Sequence, residues 1–210
     1  MTAYSDKQVQ IIEAAEKLFS EKGFNGTSVR DIAEQAVVNL AMISYYFGSK
    51  EKLMEALFTY RGDNIKLQLE GMLHNKGVDT LEKFYRLIDY YIEKFQQQKC
   101  FHRVMAREQI VHTTGPIAGL ILNLKKRNLE LIKQLVQEGQ KAGSFKKNVD
   151  ISLMMATLIG TVNHVLTTPH YYREMNGLQS LPDEQFQKHI RKKLSLHLKS
   201  IFKATLTHEV

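Results

Sequence analysis

Apolar residues return at three- and four-residue intervals along almost the whole chain. No stretch of five or more residues alternates between apolar and polar as a half-buried strand would. That period predicts one kind of element, so the fold class expected is all-α. Only 12 Gly and 3 Pro in 210 residues leave little material for β-turns or linkers. A chain of this length holds one core, or one core with a small appended module, rather than several large domains.

The pattern predicts helices from about Asp6 to Lys22, Ser28 to Gln35, Leu40 to Tyr46, Lys50 to Leu73, Asp79 to Gln98, Cys100 to His112, Pro116 to Ala142, Asp150 to Thr167 and Asp183 to Leu206. In the first, Ile11, Ile12, Ala15, Leu18 and Phe19 share one face, and Gly23 is expected to stop it in the left-handed αL conformation. Ser28 followed three residues later by Asp31 reads as a capping box. Gly48-Ser49 ends the third helix and caps the fourth. Three short helices in residues 1–48 thus form a small head, the helix over 49–74 connects, and residues 75–210 make a larger helical body. The second and third helices, joined by a four-residue turn, have the spacing of a helix-turn-helix, which projects a helix into a major groove about 12 Å wide. A plain structural bundle has the same spacing.

Charge distribution narrows the chemistry. The net charge is +7, yet residues 1–60 carry 6 Lys+Arg against 8 Asp+Glu, and residues 61–210 carry 23 against 14. DNA binding by the head must therefore draw its phosphate contacts from backbone N–H groups, hydroxyls and a few placed lysines. The longest charge-free stretch, Ile151 to Tyr172, fails as a membrane span, because Thr157, Thr161, Asn163, His164, Thr167, Thr168 and Pro169 would sit in hydrocarbon without partners. A buried helix of a soluble protein fits better, and no membrane partner is expected. The N-terminus lacks the basic start and apolar run of a secretion signal. A single cysteine, Cys100, fits a reducing cytoplasm. Phosphate-loop, dinucleotide, zinc-hydrolase and nucleophile-elbow motifs are all absent, and neither His102 nor His164 has a second ligand one helical turn away. No enzyme activity, cofactor or metal is expected.

Four segments carry a more specific signal: Ile11-Ile-Glu-Ala-Ala-Glu-Lys-Leu-Phe19, Glu21-Lys-Gly-Phe24, Thr27-Ser-Val-Arg-Asp-Ile-Ala33 and Tyr45-Tyr-Phe-Gly-Ser-Lys-Glu51. In this order they resemble the N-terminal domain of the TetR family of transcriptional regulators, over roughly residues 8–57. The resemblance implies that Leu40 to Tyr46 is a recognition helix on double-stranded operator DNA. Asn39 can cap that helix, Met42 and Ser44 can face base edges, Tyr45 and Tyr46 can give hydroxyls to phosphates, and Thr27, Ser28 and Lys50 stand at helix starts where an anion binds. Ile43 and Phe47 are expected in the core. Three positions depart from the family pattern: Val37 stands where the family usually has a turn glycine, which leaves open whether the turn keeps its backbone geometry or closes with another, Leu40 stands where a basic or polar residue is common, and Tyr46 stands where His is frequent.

The resemblance also implies a repressor released from a palindromic operator by a small apolar or amphipathic effector, with the last two long helices building a homodimer. The candidates are helices 150–167 and 183–206, the latter offering Phe186, Ile190, Leu194, Leu198, Ile201 and Phe202 as a stripe whose intermolecular use the resemblance favours over the alternative, that it caps the chain's own core. Tyr90, Tyr91, His102, Met105, Gln109, His112, Met154, Met155, Asn163 and His164 supply the apolar walls and polar tips of an expected effector pocket. A helical dimer that binds another protein through its third helix is the reading of a different class.

Overall fold

The computed structural model describes residues 4–75 and 77–207, the side chain of Asn64 excepted. Among these it places ten helices and no strand: α1 (Asp6–Lys22), α2 (Val29–Gln35), α3 (Leu40–Phe47), α4 (Lys50–His74), α5 (Thr80–Gln97), α6 (Lys99–Val111), α7 (Gly115–Lys141), α8 (Ile151–Thr167), α9 (Pro169–Met175) and α10 (Asp183–Leu206). Nine of them lie within one residue of the expected bounds. The addition is α9, which Pro169 opens at its first position, where a missing N–H leaves nothing unsatisfied. It is bent by 84° from α8, and among the described residues no single helix is long and apolar enough to cross a membrane.

Side-chain caps explain why the helices start where they do. Ser5 and Gln8 form one capping box, and Ser28 and Asp31 form another. The carboxylates of Asp79 and Asp150 accept from N–H groups in the first turns of α5 and α8. Gly23 ends α1 at φ 78°, ψ 169°, not in the expected αL basin, although a positive φ still favours glycine there.

The chain groups into two compact units. The first takes in residues up to Gln68 together with Lys99–Asn128, and the second takes in Leu69–Gln98 with Leu129 onward. In the first unit, Ile11, Ile12, Phe19, Ile32, Ile43, Leu53, Met54 and Leu57 are buried together. Onto this core α6 brings Phe101 and Val104, with the Phe101 ring edge-on to Phe58 at 5.5 Å. Residues 99–128, read from sequence as part of the body, thus close the core of the head. A buried ion pair ties the same elements: Arg61 Nε donates to Glu16 Oε2 at 2.7 Å, while burial pushes the Glu16 carboxyl above its usual range.

The second unit is built around Phe84, whose ring meets Phe145 and Phe202 edge-on at 6.5 and 5.7 Å. Here the sequence expectation for α10 is corrected. Phe186, Ile190, Leu194, Leu198 and Phe202 are buried within the chain, where α10 packs on α5, so this stripe is core and not a free intermolecular face. Asp89 of α5 accepts from Ser195 Oγ and Lys199 Nζ at 2.6 Å each, and Arg191 reaches Glu93 at 2.6 Å. The large apolar side chains that α8 and α10 leave exposed are Leu153 at 66% exposure, Ile159 at 36% and Leu196 at 59%.

Candidate nucleic-acid interface

The path from α2 to α3 is set by backbone hydrogen bonds. At the end of α2, Val38 N–H donates to Ala33 O at 3.0 Å and Val37 N–H donates to Glu34 O at 3.1 Å, the crossed pair of a Schellman motif. That motif needs one residue at positive φ, and Val37 takes it at φ 50°. The turn therefore keeps the geometry of a glycine turn with a β-branched residue in it, the point on which the sequence leaves both outcomes open. Asn39 then caps α3, its Oδ1 accepting from Ala41 N–H at 2.8 Å.

Helix α3 is pinned by one fully buried residue, Ile43, while Phe47 is only half-buried against the same core. Its other side is open: Leu40, Ala41 and Ser44 are exposed, and Tyr45 is 83% exposed with its ring edge-on to Tyr46 at 5.1 Å. Met42 and Tyr46 are half-buried at the margins of that face. Asn39 and Ser28 lie at the surface with their side-chain oxygens engaged in capping.

Two residues stand differently from the sequence reading. Thr27 is 1% exposed and its hydroxyl donates to Gly23 O at 2.8 Å and approaches Leu18 O at 3.3 Å, so it holds the loop from within and has no surface for a phosphate. Lys50 is half-buried; its Nζ donates to Phe24 O and Thr27 O at 2.9 Å each and lies 4.3 Å from the Phe24 ring centroid. The ammonium thus closes the α1–α2 loop onto the start of α4. Its position in the motif is legible in the sequence, but these carbonyl partners, 26 and 23 residues away, are not. A residue that sequence reading passed over is Arg30, an exposed cation in the first turn of α2.

Carboxylates around this surface are held in the charged form. Hydrogen bonds from the Ser28 backbone and hydroxyl lower the Asp31 carboxyl below its usual range, and the Glu51 backbone N–H and the Ser49 hydroxyl do the same for Glu51 at the start of α4.

The expected pocket residues divide between the units. His102, Met105 and Gln109 belong to the first, and Tyr90, Met155, Asn163 and His164 to the second. Gln109 is exposed and accepts from Lys125 Nζ, and His164 is exposed beside Tyr171, which takes both out of an enclosed cavity. Met155 is buried, and Met105 and Asn163 are half-buried. Burial drives the His102 imidazole down to about 3, so it is neutral. The Tyr90 hydroxyl is buried with no hydrogen-bond partner among the described residues, and burial pushes it up to about 12. No cluster of His, Cys, Asp and Glu suited to a metal ion occurs among the described residues.

A helix-turn-helix with an anchored inner side and an exposed, uncharged outer side defines a DNA-binding transcriptional regulator. Comparison with known proteins makes the assignment particular. Residues 11–57 match the family model for bacterial regulatory proteins of the tetR family, and residues 68–190 match that for the C-terminal region of YsiA-like proteins. The chain belongs to the TetR family of transcriptional regulators. It is similar to the probable HTH-type transcriptional regulator YttP of Bacillus subtilis, with 28% identity covering 92% of this chain and 93% of that one. Its fold is like that of the fatty acid degradation regulator FadR from Bacillus halodurans, at TM-score 0.72, 22% identity and coverage of 94% and 97%. It is also like that of FadR from Bacillus subtilis in complex with stearoyl-CoA, at TM-score 0.68, 22% identity and coverage of 91% and 97%.

Proposed function

We propose that the chain is a cytoplasmic repressor that binds a palindromic operator as a homodimer and leaves it when a small amphipathic effector binds. The observation that carries this reading is the outer side of α3, where Leu40, Ser44 and Tyr45 are exposed on a helix fixed by Ile43. Ser44 and Met42 meet base edges, Tyr45 and Tyr46 give hydroxyls to phosphates, and the backbone N–H groups at the starts of α2 and α4 receive flanking phosphates. Selection of duplexes from a random pool by the full-length protein tests it. Enrichment of an inverted repeat with half-sites about 34–36 Å apart is expected, and equal affinity for all sequences refutes it.

The dimer forms through the sides of α8 and α10 that the chain's own core leaves free, with Leu153, Ile159 and Leu196 as apolar contacts. For the effector, the stearoyl-CoA complex of the Bacillus subtilis neighbour makes a long-chain acyl-CoA the first compound to test. The unpartnered Tyr90 phenol and buried Met155 supply one polar tip and one apolar wall for such a molecule. Helix α4, running from Lys50 to His74, contributes residues to both units and carries the response. A coupling of about 1–3 kcal/mol shifts operator affinity about 5–150-fold.

A further inference from the structure

Helix α6 carries a charged residue where its sequence calls for an apolar one. Phe101, Val104 and Glu108 follow each other on one buried stripe, and Glu108 is 1% exposed. A leucine there would cover the same neighbours without the penalty of desolvating a carboxylate. Glu108 Oε1 instead accepts from the backbone N–H of Phe24 at 3.0 Å, and its Oε2 lies 3.1 Å from His112 Nε2. Phe24 begins the run to α2, and it is held on every side. Its carbonyl accepts from Lys50, its ring lies under the Lys50 ammonium, and Phe19 and His112 flank the ring at 5.6 and 6.3 Å. Next to it, a Cβ at Gly23 would collide with the Arg107 guanidinium of α6. All of these residues lie in the first unit.

We propose that Glu108 is a positioning residue for DNA binding: by holding the Phe24 N–H it sets where α2 starts, and hence how α3 is presented. The loop from Gly23 to Thr27 has Thr27 locked inside it and Ser28 capping α2 directly after it. A shift of Phe24 is therefore passed to the helix-turn-helix, not absorbed by slack chain. Helix α6 is then a second route to the reading helix, beside α4. The inference rests on the DNA-binding reading above.

The test compares three variants of the full-length protein, Glu108→Ala, Glu108→Gln and Phe101→Leu. Affinity is measured for a duplex that the wild-type protein selects from a random pool, together with melting temperature and hydrogen exchange at the Phe24 amide. Glu108→Ala should weaken binding by about tenfold or more and speed exchange at Phe24, since it leaves a buried donor unsatisfied. Glu108→Gln keeps an acceptor oxygen and should stay within about threefold of wild type. Phe101→Leu, which is on the same stripe but away from the loop, should lower the melting temperature with affinity retained. Equal loss of affinity in Glu108→Ala and Phe101→Leu would reduce Glu108 to a stability role and overturn the proposal, as would wild-type affinity in Glu108→Ala. A wild-type protein that selects no duplex would overturn the DNA-binding reading itself, and this inference with it.

Discussion

Replacing Val37 by Gly should stabilise the first unit. An L-residue in the left-handed region costs roughly 1–2 kcal/mol, and a β-branched one stands at the upper end of that range. Val37 sits at φ 50° and is 82% exposed, so the strain is not offset by burial of its side chain. Loss of its small buried area removes only a few tenths of a kcal/mol. Glycine gives back about 0.4–1 kcal/mol through the greater freedom of the unfolded chain. The balance is a gain of about 0.5–1 kcal/mol, or a rise of about 1–4 °C in the melting temperature for a chain of this size. Calorimetry or urea denaturation of the purified variant measures it. Val37→Ala provides the control, because alanine keeps most of the αL penalty and should leave the midpoint nearly unchanged. A Val37→Gly variant that melts at or below wild type, or Gly and Ala variants that move together, would refute the strain argument.

Thr27→Val should lower stability by about 1–2 kcal/mol in a thermal melt by stranding the Gly23 carbonyl, an effect that a merely phosphate-facing threonine would not show. Tyr45→Ala should weaken binding to selected and unrelated duplexes alike, by about tenfold, with the melting temperature unchanged, whereas Met42→Ala should mainly relax base preference in a competition assay. The pair Leu153→Arg and Leu196→Glu should shift the protein from dimer to folded monomer in sedimentation, while Phe186→Asp, in the core, should unfold it. Asp31 and Glu51 hold protons less tightly folded than unfolded. Their stabilising effect is therefore complete above the ordinary carboxylate range near about 4, and is lost as pH falls through their lowered values. The burial-raised Glu16 acts in the opposite sense. Glu51→Gln should flatten the acid limb of a melting-temperature profile.

What was legible in the sequence was local. Ser28 and Asp31 stand three residues apart, so their capping box can be read directly, and Asn39 announces the start of α3 in the same way. Ile43 and Phe47 could be placed inside by period alone, although Phe47 proves only partly covered. Two of the misreadings involve partners distant along the chain. Lys50 reads as a free cation at a helix start until the fold brings it to two carbonyls of the loop before α2. The α10 stripe has the same period whether it meets α5 of its own chain or a second copy, so spacing could not choose between them. At Val37 the sequence leaves the turn geometry open, because a positive φ is strained for a β-branched residue, and the crossed hydrogen bonds to Ala33 and Glu34 are what hold the backbone there.

Glu108 is the instance where a sequence signal existed and was passed over, since a carboxylate on an otherwise apolar stripe is itself an anomaly that asks for a partner. Its partner lies 84 residues earlier, which explains why the boundary drawn near residue 48 misses how the head is built. Residues 1–48 do not enclose this core by themselves. The core is completed instead by Leu53, Met54 and Leu57 of α4 and by Phe101 and Val104 of α6, and it is tied by Arg61 to Glu16 and by Glu108 to Phe24. A helix such as α3, seated on a core that α4 and α6 complete, cannot stay indifferent to a displacement of either helix.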